Sequence, residues 1–315
     1  MADPADGTRD AAVQAPGSPL GPRRERHDRS GRDARIVFVG AGPGAADLLT
    51  LRAVRAIAAA DVIVWAASLV MAEAVTEHAR ADAELLDSSS LTLEDVDAVY
   101  ARAAREGLTV ARVHSGDPAL WSAIGEQIDR VEAHGLHWEI VPGVGALSAA
   151  AAALGEELTV PETAQSVICT RLATATPMPP GEDLAAFAAH GTTIALYLSA
   201  KRAKRLQAEL ERGGYGPETP CAICYRVSWP DEQVVRCRLA DLAATLRDAG
   251  FVRHTLVVVG PGLTRSDASS GSPTTRSRLY DPGFAHLHRL PDGRPGPSPA
   301  GACDTASSDD QGAAR

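Results

Sequence analysis

Three glycine- and proline-marked loops, each closing a short apolar run, constrain this chain more than any other feature. Ile36–Val39 runs into Gly40-Ala41-Gly42-Pro43-Gly44, and Val110–Val113 into His114-Ser115-Gly116-Asp117-Pro118. Trp138–Ile140 runs into Val141-Pro142-Gly143-Val144-Gly145-Ala146. An apolar run ended by such a turn and followed by helix-forming residues reads as strand, loop, helix. In an open α/β sheet, ligands bind in the crevice outside the carboxyl ends of the strands. Three loops of this kind in one segment describe the walls of a single pocket.

The first half of the chain repeats that unit. Strands are predicted at Arg35–Val39, Asp61–Trp65, Ala83–Asp87, Thr109–His114 and His137–Val141. Helices are predicted at Ala46–Ala59, Ala67–Ala79, Leu93–Glu106, Ala119–His134 and Leu147–Leu154. Thr92 with Asp95 three residues on is a capping box for the third of them. Such alternation fits a mostly parallel, doubly wound sheet.

From about Thr159 the pattern changes, with strands at Ser166–Thr170, Thr193–Leu198, Cys221–Val227, Glu232–Arg238 and Thr255–Val259. Helices are expected at Asp183–Ala189, Lys201–Arg212 and Leu239–Ala249, the second ending on Gly213-Gly214. The strands flanking Ser228-Trp229-Pro230-Asp231 read as an antiparallel hairpin. The expected fold is therefore α/β with two α/β domains, residues 34–146 on a parallel sheet and 147–265 on a mixed one.

Composition excludes several classes. The formal net charge of −9 argues against a nucleic-acid partner, whose phosphates want a basic face. No apolar run approaches the ~18 residues of a membrane helix, so no membrane partner is expected. Residues 1–33, rich in Pro, Gly, Asp and Arg, read as a disordered leader without a secretory or transit signature. Residues 266–315 read as an extended, largely disordered tail. Cys221 and Cys224 are spaced as CxxC but fall on a strand, where residues three apart face opposite sides. Neither a metal nor a disulfide is expected, and the thiols read as buried groups of a reducing cytoplasm.

Gly40-x-Gly42-x-x-Ala45 matches a loose dinucleotide fingerprint in a strand-to-helix setting. That site also wants an acid about 20 positions on, and the second strand ends Val64-Trp65-Ala66-Ala67-Ser68 without one. Pro43 also lacks the N–H that a phosphate turn uses, so a dinucleotide is disfavoured. Asp117 can cap the following helix or accept a hydrogen bond from a ligand. His114 reads as a packed strand residue. The run Lys201-Arg202-Ala203-Lys204-Arg205 reads first as a solvated helix face and second as a contact for a polycarboxylate. Arg112, Arg171, Arg226 and Arg236, in or beside strands, carry the same two readings.

Taken with Glu157–Glu162, Gln165–Arg171, Thr176–Pro179 and Trp229–Glu232, the loops resemble those of the tetrapyrrole methylases over about Arg35 to Arg289. The loops themselves are common to the uroporphyrinogen, precorrin-2 and precorrin-3B methylases. Leu158–Arg171, Thr193–Ser199 and the Trp229–Glu232 turn resemble the branch acting at C11 of precorrin-4. The resemblance implies a cytoplasmic homodimer that binds S-adenosylmethionine in a cleft between two domains. It implies cofactor contacts at Pro43, Ser115, Gly116, Asp117, Leu120, Gly145 and Ala146 in the first domain. In the second domain it implies Leu198, Val227 and Thr255. The precorrin substrate, with or without cobalt, carries many carboxylates, to which arginines are suited. The chain departs from the family pattern at Ala45, where an Asp is usual, and at Gly145, where Ser or Thr is usual. Those departures are what a non-catalytic binding module would rest on.

Overall fold

The computed structural model describes residues 34–263, 277–285 and 289–290. The readings made for the leader, and for most of the tail, lie outside the described residues.

The first half forms five strands: β1 (Arg35–Gly40), β2 (Val62–Trp65), β3 (Glu84–Asp87), β4 (Thr109–His114) and β5 (His137–Val141). They make an all-parallel sheet in the order β3-β2-β4-β1-β5. Its helices are α1 (Leu51–Ala59), α2 (Glu73–Thr76), α3 (Leu93–Glu106) and α4 (Ile124–Ala133). Because side chains alternate along a strand, β1 feeds two cores. Val37 and Val39 pack with Ala53 and Ile57 of α1, while Ile36 and Phe38 pack with Val96, Tyr100 and Val131 of α3 and α4. Helices on both faces make the sheet doubly wound, as expected.

The second half forms β6 (Val167–Arg171), β7 (Thr193–Tyr197), β8 (Pro220–Tyr225), β9 (Gln233–Arg238) and β10 (Thr255–Val259). The order is β6-β7-β10-β8-β9, with β6 parallel to β7 and the other pairings antiparallel. The helices α6 (Leu184–Ala188), α7 (Ala203–Arg212) and α8 (Leu242–Asp248) cover one face. The alanine-rich α5 (Ala146–Leu154) covers the other, where Ala150 and Leu154 meet Ala195, Ala222 and Val258. Cys221 and Cys224 fall into the two different cores, so this CxxC pair faces both ways.

Three helix expectations are corrected, each by a local competitor. The helix expected over 46–59 breaks at Leu49 and Thr50, which are extended; the Thr50 hydroxyl then caps α1 by accepting from the Ala53 N–H at 3.1 Å. The helix expected over 67–79 shrinks to α2. The Ala67 N–H donates to the Asp87 carboxylate (3.0 Å) and the Ser68 N–H to the Ser89 hydroxyl (3.2 Å), which diverts backbone from a helical ladder. The helix expected from Ala119 begins only at Ile124, because Trp121 and Ala123 are left-handed (φ 54° and 48°). The capping box at Thr92 and Asp95 forms as read.

Candidate functional site

Adjacency of β4, β1 and β5 brings the three loops together. Gly40 sits opposite His114 and Val39 opposite Val141, so all three strands end at one level. Loop one and loop two then exchange backbone hydrogen bonds, Gly42 N–H to Gly116 O (3.1 Å) and Gly116 N–H to Gly42 O (2.7 Å). Loop three packs under them. A Cβ on Gly40 would come within 2.5 Å of the Gly143 nitrogen, and one on Gly143 would overlap the Gly116 carbonyl oxygen. Only glycine permits that approach.

Asp117 ties the loops rather than standing free. One of its oxygens accepts the Ala119 N–H (2.8 Å) and the other the Gly143 N–H (2.9 Å). Elsewhere the floor is open. A Cβ on Gly145 would meet nothing within 4 Å, and one on Gly116 would meet only the Ala146 nitrogen at 3.9 Å. Gly145 begins α5 and offers no side-chain cap, so the first amides of that helix face the cradle without a side-chain acceptor.

The opposite wall is the end of the second sheet where β6, β7 and β8 finish and β10 begins. Leu198 follows β7, Val227 follows β8 and Thr255 starts β10, and the antiparallel register places them along one edge. That edge bonds directly to the first loops. The Ala45 N–H donates to the Ser228 hydroxyl (3.0 Å), and the Trp229 indole N–H donates to the Pro43 carbonyl (2.9 Å). Trp229 also covers Gly44, where a Cβ would overlap the indole. Trp121 of loop two lies against Tyr197, ring centroids 4.3 Å apart. The His254 ring N–H reaches the Ser68 carbonyl at 2.9 Å.

Every residue expected to contact cofactor thus lies on one of two facing walls. Pro43, Ser115, Gly116, Asp117, Leu120, Gly145 and Ala146 lie on the first, and Leu198, Val227 and Thr255 on the second. None is fully buried, and Leu198 is 66% exposed despite being apolar. Ser228, Trp229 and His254, which join the walls, were not singled out from the sequence as site residues. The available signal was a tryptophan placed in a hairpin turn, where solvent would ordinarily be its neighbour.

The titratable groups sort plainly. Burial, with Arg112 nearby, pushes the His114 imidazole down to about 3, so it stays neutral and packs against Phe38. Burial pushes the Tyr197 hydroxyl up to about 12. The four strand arginines are engaged within the protein. Arg112 donates to Gln127, Ser88 and the Val64 carbonyl, and Arg236 pairs with the buried Glu156 at 2.9 Å. Arg171 donates to the Thr176 and Pro177 carbonyls, while Arg226 pairs with Asp231 and lies 4.1 Å over the Trp229 ring. Among the described residues, no group of three or more His, Cys, Asp and Glu side chains could hold a metal.

A family model described as Tetrapyrrole (Corrin/Porphyrin) Methylases matches residues 35–243. A Precorrin-4 C(11)-methyltransferase of Sinorhizobium sp is 43% identical over 255 residues, covering 81% of this chain and 98% of the relative. Among solved structures, the cobalt precorrin-4 methyltransferase CbiF superimposes with a TM-score of 0.71 at 38% identity, covering 73% of this chain and 96% of that one. A uroporphyrin-III C-methyl transferase from Thermus thermophilus, crystallised with S-adenyl homocysteine, matches with a TM-score of 0.60 at 29% identity, covering 72% and 97%. The family model spans more than half of the chain, and the relatives match most of its length at about 40% identity: this chain belongs to the tetrapyrrole methylases.

Proposed function

We propose that the protein transfers a methyl group from S-adenosylmethionine to C11 of precorrin-4, giving precorrin-5. The observation that carries the reading is the cradle between the two walls, taken with relatives of that name at over 40% identity. The residues fit the cofactor. Gly116 and Gly145 leave space that a side chain would fill, uncapped amides at the start of α5 suit the polar end of the donor, and Leu120 and Leu198 offer apolar surface.

When bound, S-adenosylmethionine supplies a methyl group already activated by the sulfonium. The chain's own part is to hold donor and ring carbon in line, which is where an enzyme gains most from proximity. In this reading Pro43, Ser115, Gly116, Asp117, Gly145 and Ala146 form the first wall of the cofactor site. Leu120, Leu198, Val227 and Thr255 close it from the loop tip and the second sheet. Buried and neutral, His114 is a poor acceptor for the proton that the ring carbon loses.

The reading divides the chain into domains of residues 34–146 and 147–265 and takes the working form to be a cytoplasmic homodimer. Cobalt-precorrin-4 is the second substrate to test, since CbiF, a relative of known structure, is named for it. Incubation with labelled S-adenosylmethionine and either enzymatically generated precorrin-4 or its cobalt form, with mass and NMR readout, decides between them. Transfer to a carbon other than C11, or no transfer to either ring, would overturn the C11 assignment.

A further inference from the structure

Between the start of α7 and the end of α8 lies a cavity of about 530 Å³. Leu246 and Phe251, both buried, give it an apolar floor. Its walls carry Lys201, Arg202, Lys204, Arg205 and Arg247, and among the described residues no carboxylate lines it. That wall stands out in a chain whose acids outnumber its bases, 40 to 31.

Most of this charge is unspent. Arg247 pairs with Asp248 at 2.9 Å, and Arg205 donates to the Ala173 carbonyl at 3.1 Å, which leaves its charge uncompensated. Among the described residues, no ion pair joins Lys201, Arg202 or Lys204 to an acid. The helix makes matters worse for them. The N-terminus of α7 is the positive end of its dipole, its N-cap Arg202 supplies no side-chain acceptor, and its first turn has no acid. By contrast, α3 and α6 are capped by Thr92 and Asp183. A local arrangement that breaks the charge rule of its own helix is expected where a ligand completes it.

The cavity also stands beside the cleft. Lys201 comes three residues after Leu198, and Val252 of the cavity three residues before Thr255. Since β7 and β10 are antiparallel neighbours, both short segments leave the sheet at the same lip. The cavity and the cleft thus share that lip.

We propose that this cavity is a polycarboxylate subsite that receives carboxylate arms of the tetrapyrrole substrate. The inference rests on the proposed substrate class and deepens it. The apolar floor suits the methylene stems, and guanidinium groups bind carboxylates in matched pairs. A cationic patch also draws a polyanion toward a protein whose net charge of −9 repels it.

The test uses the full chain and a probe that cannot react, uroporphyrin, which carries eight carboxylates, with the four-carboxylate coproporphyrin for comparison. The variants are the triple Lys201→Glu, Arg202→Glu, Lys204→Glu and the same positions changed to Gln. All three residues are exposed, so melting temperature and calorimetric S-adenosylhomocysteine binding are expected to hold. Uroporphyrin affinity is expected to fall at least ~10-fold in the Glu triple and less in the Gln triple, with the loss of charge-assisted contacts. The wild-type preference for uroporphyrin over coproporphyrin should shrink in both, and KM for precorrin-4 should rise with kcat kept. Wild-type probe affinity that is insensitive to salt, or unchanged in the triples, overturns the subsite. If the wild type binds uroporphyrin through these residues yet methylates neither ring, the C11 reading fails and the subsite stands. If it methylates precorrin-4 and the triples match its KM, the subsite falls alone.

Discussion

At the first wall of the cleft, β4, β1 and β5 run parallel and end side by side, so their loops touch through glycine backbone. At the second wall β10 runs antiparallel to both β7 and β8, and the residues that turn away from these strands are not glycines. Leu198, Arg226, Ser228 and His254 all take positive φ there, at 54°, 46°, 66° and 52°. Left-handed backbone costs a non-glycine residue ~1 kcal/mol or more. The first wall is thus shaped by what is missing from its residues, and the second by side chains held in costly turns. Such turns persist where surrounding contacts over-determine them. Here those contacts are the Trp229 bond to Pro43, the Ser228 bond to Ala45 and the His254 bond to Ser68.

The sharpest way to break this contrast is Gly143→Ala. Its Cβ has no room against Gly116 and Gly40, so stability should fall by at least ~3 kcal/mol. Gly145→Ala, facing open space, should stay within ~0.5 kcal/mol. Thermal melting of both reads the difference, and equal melting temperatures would show that the first wall is not built on glycine contact.

Next in size is Asp117→Ala, which releases two backbone amides and should cost ~2 kcal/mol. S-adenosylhomocysteine affinity should also fall at least ~10-fold, the weight of about one charge-assisted hydrogen bond. Calorimetry showing full affinity with a lowered melting temperature would leave Asp117 as a loop tie alone.

On the second wall, Trp229→Ala removes the indole bond to Pro43 and the Arg226 stacking. A loss of ~1.5 kcal/mol is expected from a half-buried tryptophan of this kind, with weaker S-adenosylhomocysteine binding. Unaltered binding would mean that the walls keep their spacing without this contact. The smallest effect belongs to Leu198→Gly. Relief at φ 54° should hold or raise stability by up to ~1 kcal/mol, while cofactor affinity falls with the lost apolar surface. A clear loss of stability on melting would show that Leu198 packs for the fold rather than for the ligand.

Much of the first wall was legible because its signals are local. The ends of β1, β4 and β5 follow from apolar runs and glycine turns, and the capping box at Thr92 needs only four residues. Helix lengths were read less well. Asp87 and Ser89 take the amides of Ala67 and Ser68 from 20 and 21 residues away, and no local pattern announces that competition. The four strand arginines looked as ready for substrate as the Lys201–Arg205 run. Arg112 reaches the Val64 carbonyl from 48 residues away and Arg236 reaches Glu156 from 80, and only the fold shows those two engaged.

What the sequence determined by itself is the order of strands and helices, the change from a parallel to a mixed sheet, and the three loops. Side-chain periodicity and the unique conformational freedom of glycine act over a few residues, so they can be read along the chain. The tertiary structure alone decided that the two walls face and bond each other across about 185 residues, and that Lys201, Arg202 and Lys204 line one cavity without an ion pair among the described residues. Those are facts of proximity between distant segments. Burial and hydrogen-bond satisfaction select them from many pairings that the same local signals allow.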